Sequence, residues 1–195
     1  MEWVSPVTAE IDASMRAVGR HLVRLLHQMR RRLPLEDDVR RATTPITTRP
    51  FVPGVDDDAW LAVNNRAFRW HPDQGGWDRA QLAARLAESW VRTDGFLVHD
   101  GADGPIDGFC WTREHPPSPD GSDPVMGEIF VIAADPSTAG TGLGRSLTVS
   151  GLDHLSARGI TTAMLYVEAV NTPAIRLYEH LGFVVHHSNA AYTLP

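Results

Sequence analysis

The sequence predicts an α/β domain, with a mixed central sheet and helices on both of its faces. Three observations carry this. The strand-like run Gly127-Glu128-Ile129-Phe130-Val131-Ile132 leads into the glycine-rich stretch Asp135 to Arg145, and a helix-like run continues to Leu155. Candidate strands and helices alternate along the chain instead of segregating into separate blocks. Glycine and proline punctuate the periodic runs, as at Gly101, Gly104 and the loop 116–124. At 195 residues the chain is long enough for one domain with a sizeable core and an extension.

The elements follow in order. In the first 45 residues Met15, Val18, Leu22, Leu25 and Met29 recur at helical spacing, which predicts an amphipathic helix. A turn region from Thr43 to Pro53 holds Pro45, Pro50 and Pro53. Asp56 to Asp58 open a helix reaching about Phe68, and Leu82, Leu86 and Trp90 line a second one. Gly95 to Val98 and Ile106 to Thr112 read as a strand pair. Strand 126–133, helix 142–158, strand 162–168, helix 172–181 and short terminal strands complete the order. In the last helix Asn171 is the expected N-cap, Pro173 sits in the first turn, and Gly182 ends it.

Composition narrows the function. A net charge of −6 argues against a nonspecific grip on nucleic acid. The one cysteine, Cys110, excludes an internal disulfide framework and suits the cytoplasm. No apolar run approaches the ~18 residues of a membrane span. Arg16, Arg20 and Arg24 interrupt the early apolar residues, so no signal peptide is expected. The histidines show no metal-binding spacing with cysteine or carboxylates, and no metal is expected.

The glycine loop and the start of the helix behind it form a seat for a pyrophosphate, because unpaired N–H groups and a positive dipole end meet there. Together with Asn171-Thr172-Pro173-Ala174-Ile175-Arg176-Leu177-Tyr178-Glu179-His180-Leu181-Gly182-Phe183, it resembles the GNAT acetyltransferases. That family's loop reads Gln/Arg-x-x-Gly-x-Gly/Ala, and its last helix reads Asn-x-x-Ala-x-x-x-Tyr-x-x-x-Gly-Phe. The resemblance implies acetyl-CoA as cosubstrate and two parallel strands, 126–133 and 162–168, splayed apart to admit pantetheine. Backbone groups of Ile132, Ala133 and Ala134 would pair with its amides. Those of Ala139, Gly140, Thr141, Gly142, Leu143, Gly144 and Arg145 would hold the pyrophosphate, and Asn171, Ala174 and Arg176 complete the coenzyme set. Ala139 stands where the family has Gln or Arg, and Thr141 where it has Arg or Gly, so coenzyme binding is expected to be weaker by about 1 kcal/mol.

Acetyl transfer to an amine needs a base and an acid. Tyr178 stands where the family places its general acid, and a phenol that keeps its proton can protonate a leaving thiolate. The competing reading is a core tyrosine beside Ile175 and Leu181. Glu128 is a carboxylate among apolar strand residues, and burial there would raise its pKa toward that of a usable base. Alternatively it is a strand-end glutamate facing solvent. Cys110 is either a nucleophile or an ordinary strand side chain in the alternation of Gly108 and Cys110 against Phe109 and Trp111.

A closer resemblance covers about residues 47 to 195. Val63-Asn64-Asn65-Arg66-Ala67-Phe68, His71-Pro72-Asp73-Gln74-Gly75-Gly76-Trp77, Gly108-Phe109-Cys110-Trp111-Thr112 and Leu165-Tyr166-Val167 look like the mycothiol synthase family of actinobacteria. The basic residues here are all arginine, which agrees with a GC-rich genome. The family acetylates the cysteinyl amine of cysteinyl-glucosaminyl-inositol. Matching positions imply that Asp73, Arg113, Glu128 and Tyr166 contact this acceptor. Asp73 replaces the usual Glu, Arg113 the usual Lys, and Cys110 a His. Mycothiol synthases carry two GNAT-like halves, and this chain resembles the second. Residues 47–195 are thus the expected acetyltransferase domain. Residues 1–46 are an extension or the remnant of a first half, within which Leu25 to Leu35 looks like a closing strand. That competes with the helix expected over the same residues. The alternatives are a GNAT enzyme for another small amine or peptide, or a non-catalytic acetyl-CoA-binding half. A monomer, or a weak oligomer through the N-terminal segment, is expected.

Overall fold

The computed structural model describes every residue except Pro72, Asp103 and Pro195. The chain divides into two compact units, one from Met1–Arg31 with Met164–Pro195 and the other from Arg32–Ala163. The first elements are β1 (Glu2–Val4), α1 (Ala9–Ala17), β2 (His21–Arg32), α2 (Asp37–Arg41) and β3 (Arg49–Pro50). Next come α3 (Asp57–Ala67), α4 (Arg79–Leu86), β4 (Phe96–Asp100), β5 (Ile106–His115) and β6 (Met126–Ala134). The last are α5 (Leu143–Ala157), β7 (Thr162–Glu168), α6 (Thr172–His180) and β8 (Val184–Thr193). From α3 onward the expected elements are present, except that α4 ends at Leu86 and leaves Trp90 outside it, and the short terminal strands are a single ten-residue strand, β8.

In the unit Arg32–Ala163, strands β6, β5, β4 and β3 are neighbours in that order, each pair antiparallel. Alternation along β5 sends successive side chains to opposite faces. Phe109 and Trp111 pack with α3, where Trp60 meets Phe51, Trp77, Phe96, Phe109 and Trp111 at centroid distances of 5.2–6.5 Å. Cys110 faces α5 instead. A Cβ on Gly151 of α5 would lie 2.4 Å from its Sγ, so only glycine lets the helix seat this closely.

The ladder between β5 and β6 slips once. Trp111 pairs with Val131 but Thr112 pairs with Ile129, so Phe130 is the extra residue of a β-bulge. The slip changes the parity of β6. Phe130 and Val131 both join the aromatic face, and Glu128 comes to stand opposite Arg113 on that same face.

In the other unit β8 pairs antiparallel with β1 on one side and β2 on the other, and β7 flanks β2. Asn171 caps α6, its Oδ1 accepting from the Ala174 N–H at 3.3 Å, with Pro173 in the first turn. At the other end the buried Arg31 of β2 donates to the Leu181 carbonyl, and Gly182 turns the chain at φ 80°. A guanidinium there meets carbonyls that the helix leaves without partners. Arg24 of β2 pairs with Glu168 of β7 through Nε at 2.9 Å.

The helix expected over Met15 to Met29 is not found. Helix α1 stops at Ala17 and β2 begins at His21, in agreement with the closing-strand reading. The β2–β8 register shifts twice, between Leu22 and Arg24 and between Gln28 and Met29. The first shift leaves Val23 of β2 as an extra residue and the second leaves His186 of β8. The Val23 bulge thus interrupts the two-residue alternation of β2, and the resulting spacing imitates a helical one.

Candidate functional site

The glycine loop starts at Asp135, buried at the end of β6. Its Oδ1 accepts from the Ser137 N–H at 2.9 Å and the Ser137 hydroxyl at 2.7 Å, and its Oδ2 accepts from Nε of Arg66 on α3 at 2.7 Å. Burial pushes this carboxyl up, but the Ser137 and Arg66 hydrogen bonds outweigh it and hold the group below the ordinary carboxylate range. A 3₁₀ turn, Pro136–Thr138, follows. Gly140 and Gly142 then adopt φ of 81° and 85°, a region costly for any residue with a Cβ. The Thr141 hydroxyl donates to the Thr138 carbonyl at 2.8 Å and accepts from the Leu143 N–H at 3.3 Å. The first intrahelical bond of α5 comes from Ser146 to the Gly142 carbonyl. Among the described residues the N–H groups of Gly140, Gly142, Gly144 and Arg145 therefore have no acceptor. Four unpaired donors at the start of a fifteen-residue helix make a fitting cradle for a pyrophosphate. Arg145 rests its Nε on the Thr43 hydroxyl at 2.9 Å, and Ala139 is exposed and offers only backbone.

Upstream on β6, Ile132, Ala133 and Ala134 pair with Cys110, Phe109 and Gly108 of β5. Glu128 is buried, with Oε2 at 2.7 Å from Nε2 of His115. Its Oε1 has no hydrogen-bond partner among the described residues. Arg113, directly opposite Glu128, does not pair with it. Its guanidinium lies over the Trp90 ring at 4.5 Å and near Phe130 at 5.9 Å, and its buried Nε has no hydrogen-bond partner among the described residues. Arg85 of α4 lies 5.7 Å from the rings of both Trp77 and Phe130. Around Glu128, then, the face brings aromatic rings and two guanidinium groups beside Met126 and Val131.

Asp73 lies in the connection from α3 to α4, and of the His71 to Trp77 segment only Pro72 falls outside the described residues. Asn64 and Asn65 hold this connection. Asn64 exchanges bonds with Gln74, giving to its carbonyl at 2.8 Å and accepting from its side-chain amide at 2.9 Å. Asn65 does the same with the Trp77 backbone at 2.8 and 2.9 Å. A Cβ on Gly75 would come within 2.2 Å of the Phe68 carbonyl oxygen. The Asp73 side chain is exposed, while its carbonyl accepts from the Trp77 indole at 3.0 Å.

The remaining expected residues belong to the other unit. Tyr166 on β7 is exposed, and its hydroxyl accepts from the Gln28 amide at 2.7 Å. On α6, Tyr178 is buried with its ring 5.9 Å from Phe183, Ala174 donates to the Asn171 cap, and the Arg176 carbonyl accepts from His180 at 2.6 Å. Cys110 is fully buried, which pushes its thiol up to about 12 and leaves it an inert core residue. Among the described residues no group of three His, Cys, Asp or Glu is placed to hold a metal, and no helix is long and apolar enough to cross a membrane. Sequence reasoning passed over His115, Asn64, Asn65 and Arg66 as working residues. Asn64, Asn65 and Arg66 entered only as part of a run that resembles the mycothiol synthase family, and His115 carried no signal of its own.

Comparison with known proteins gives a consistent answer. The FR47-like protein family model matches residues 122–191. The chain is 48% identical over 190 residues to the mycothiol acetyltransferase of Acidimicrobium ferrooxidans, covering 96% of this chain and 59% of that one. It is 45% identical over 196 residues to the mycothiol acetyltransferase of Thermomonospora curvata, covering 99% and 63%. The chain thus spans about three fifths of these relatives' length. Among solved structures, a GCN5-related N-acetyltransferase from Sphaerobacter thermophilus superposes with a TM-score of 0.77 at 22% identity, over 97% of this chain and 57% of that one.

Proposed function

We propose that the chain is a GNAT acetyltransferase that transfers the acetyl group of acetyl-CoA to the cysteinyl amine of cysteinyl-glucosaminyl-inositol, forming mycothiol; the match to the FR47-like family model and the identity to its relatives support this. The observation that carries this reading is Glu128, a buried carboxylate in an apolar strand with one oxygen engaged by His115 and the other open. The identity to mycothiol acetyltransferases supports the choice of acceptor.

The glycine loop and the first turn of α5 hold the pyrophosphate through backbone N–H groups, aided by the helix dipole. When bound, acetyl-CoA supplies the thioester. Oε1 of Glu128 takes a proton from the acceptor amine, whose nitrogen forms the new bond to the acetyl carbon as the carbon–sulfur bond breaks. The phenol of Tyr178 gives its proton to the departing sulfur. Asp73, Arg113 and Tyr166 bind the acceptor, whose hydroxyls and amine suit a carboxylate, a guanidinium and a phenol. In this reading residues 47–195 form the acetyltransferase domain and 1–46 an extension. The protein works in the cytoplasm as a monomer or weak oligomer, without metal, membrane or nucleic acid.

Thiol release from acetyl-CoA in the presence of cysteinyl-glucosaminyl-inositol tests this directly. Tyr178→Phe should lower kcat by about 10²-fold, the usual worth of a positioned acid, while calorimetry shows unchanged acetyl-CoA affinity. Turnover only with other amines would replace the acceptor. Coenzyme binding without turnover of any amine would leave a non-catalytic acetyl-CoA-binding half.

A further inference from the structure

We propose that His115 is the positioning residue for the base, an inference that rests on Glu128 acting in acetyl transfer. His115 pairs with Met126 across the ladder and Arg113 with Glu128, so His115 and Glu128 are diagonal neighbours on one face. Their side chains bridge that diagonal at 2.7 Å. The residue directly opposite Glu128 is turned away, since Arg113 lies over Trp90. His115 is therefore the hydrogen-bond partner of Glu128 among the described residues.

Donor chemistry fixes the direction of this bond. A carboxylate ready to take a proton is acceptor-only, so Nε2 of His115 must carry the hydrogen. The bond occupies Oε2 and sets the rotation of the carboxylate. Oε1 is left as the oxygen that receives the amine proton. The arrangement depends on the Phe130 bulge, because without that slip Glu128 would face the opposite side of the sheet from His115.

The test compares His115→Ala, His115→Gln and Glu128→Gln in the full chain, with acetyl-CoA and cysteinyl-glucosaminyl-inositol. His115→Ala should lower kcat by about tenfold, a fraction of the roughly 10²-fold or more that a positioned base contributes, with the KM for acetyl-CoA unchanged. His115→Gln, which keeps an amide donor, should recover most of that loss. Wild-type kcat in His115→Ala, or failure of His115→Gln to recover kcat while its melting temperature is unchanged, overturns the proposal. A second readout separates it from the choice of acceptor. Nitrogen NMR of His115 should show a hydrogen on Nε2 in the wild type, with a resonance that moves in Glu128→Gln. If that holds while the wild type turns over no acceptor, the acceptor is wrong and the positioning stands. If the His115 resonance ignores Glu128→Gln, the positioning falls whatever the turnover.

Discussion

Glu128 and His115 differ in how far the sequence reveals them. A carboxylate within Ile129, Phe130, Val131 and Ile132 is conspicuous in any reading of the chain. His115 is not, because its partnership depends on a diagonal across an antiparallel ladder and on a bulge at Phe130 that shifts the register. Neither feature has a local sequence mark. Cys110 shows the converse. Its strand alternation was legible, and the structure adds the physical reason for its inertness, namely full burial beneath Gly151. Ala139 yields a prediction at this scale. It is exposed in a loop whose neighbours present unpaired N–H groups, and its methyl adds no polar contact. Ala139→Gln should tighten acetyl-CoA binding about fivefold, equivalent to one net hydrogen bond of about 1 kcal/mol. Calorimetric titration checks it, and unchanged affinity would mean that the backbone alone sets the grip.

At the scale of elements, α3 links two loops. Asn64 and Asn65 fasten the His71 to Trp77 connection, and the next residue, Arg66, fastens Asp135 at the start of the glycine loop. The unusual composition of the first connection was visible in the sequence. Its cause was not, since a Pro-Gly-rich segment reads as irregular until its backbone partners are known. Removing one partner leaves polar groups unpaired, which costs more than the bond itself. Asn65→Ala should destabilise the fold by about 2–3 kcal/mol, because the Trp77 N–H and carbonyl both lose their partner. Urea unfolding measures this. Arg66→Ala should act elsewhere, weakening acetyl-CoA binding severalfold with a smaller change in stability. A loss of stability without any loss of coenzyme affinity would show that Arg66 only ties α3 down.

The organisation of the whole chain turns on β2. Its sequence supports two readings because the bulge at Val23 disguises the strand period, and only pairing with β8 decides between them. The segment does more than extend a sheet. It gives β8 nine register partners, supplies the Arg24 that pairs with Glu168, and places Arg31 at the end of α6. Strand β8 is ten residues long, and without β2 it would present an unpaired edge of the kind that associates with other chains. The Leu181 carbonyl would lose a charged donor at the same time, in a buried place where an unmet acceptor costs about 1–3 kcal/mol. A chain beginning at Leu33 should therefore aggregate or melt without cooperativity. One beginning at Arg20, which keeps β2 but loses β1 and α1, should stay soluble and melt cooperatively at a lower temperature, because the Tyr192 hydroxyl loses its bond to Asp12. Size-exclusion chromatography and thermal melts followed by circular dichroism distinguish the two. If the shorter chain remains soluble and melts cooperatively, β2 is an ornament on a self-sufficient domain. If only the longer one does, residues 20–32 belong to the folding unit, and the proposed domain boundary at residue 47 must move to include them.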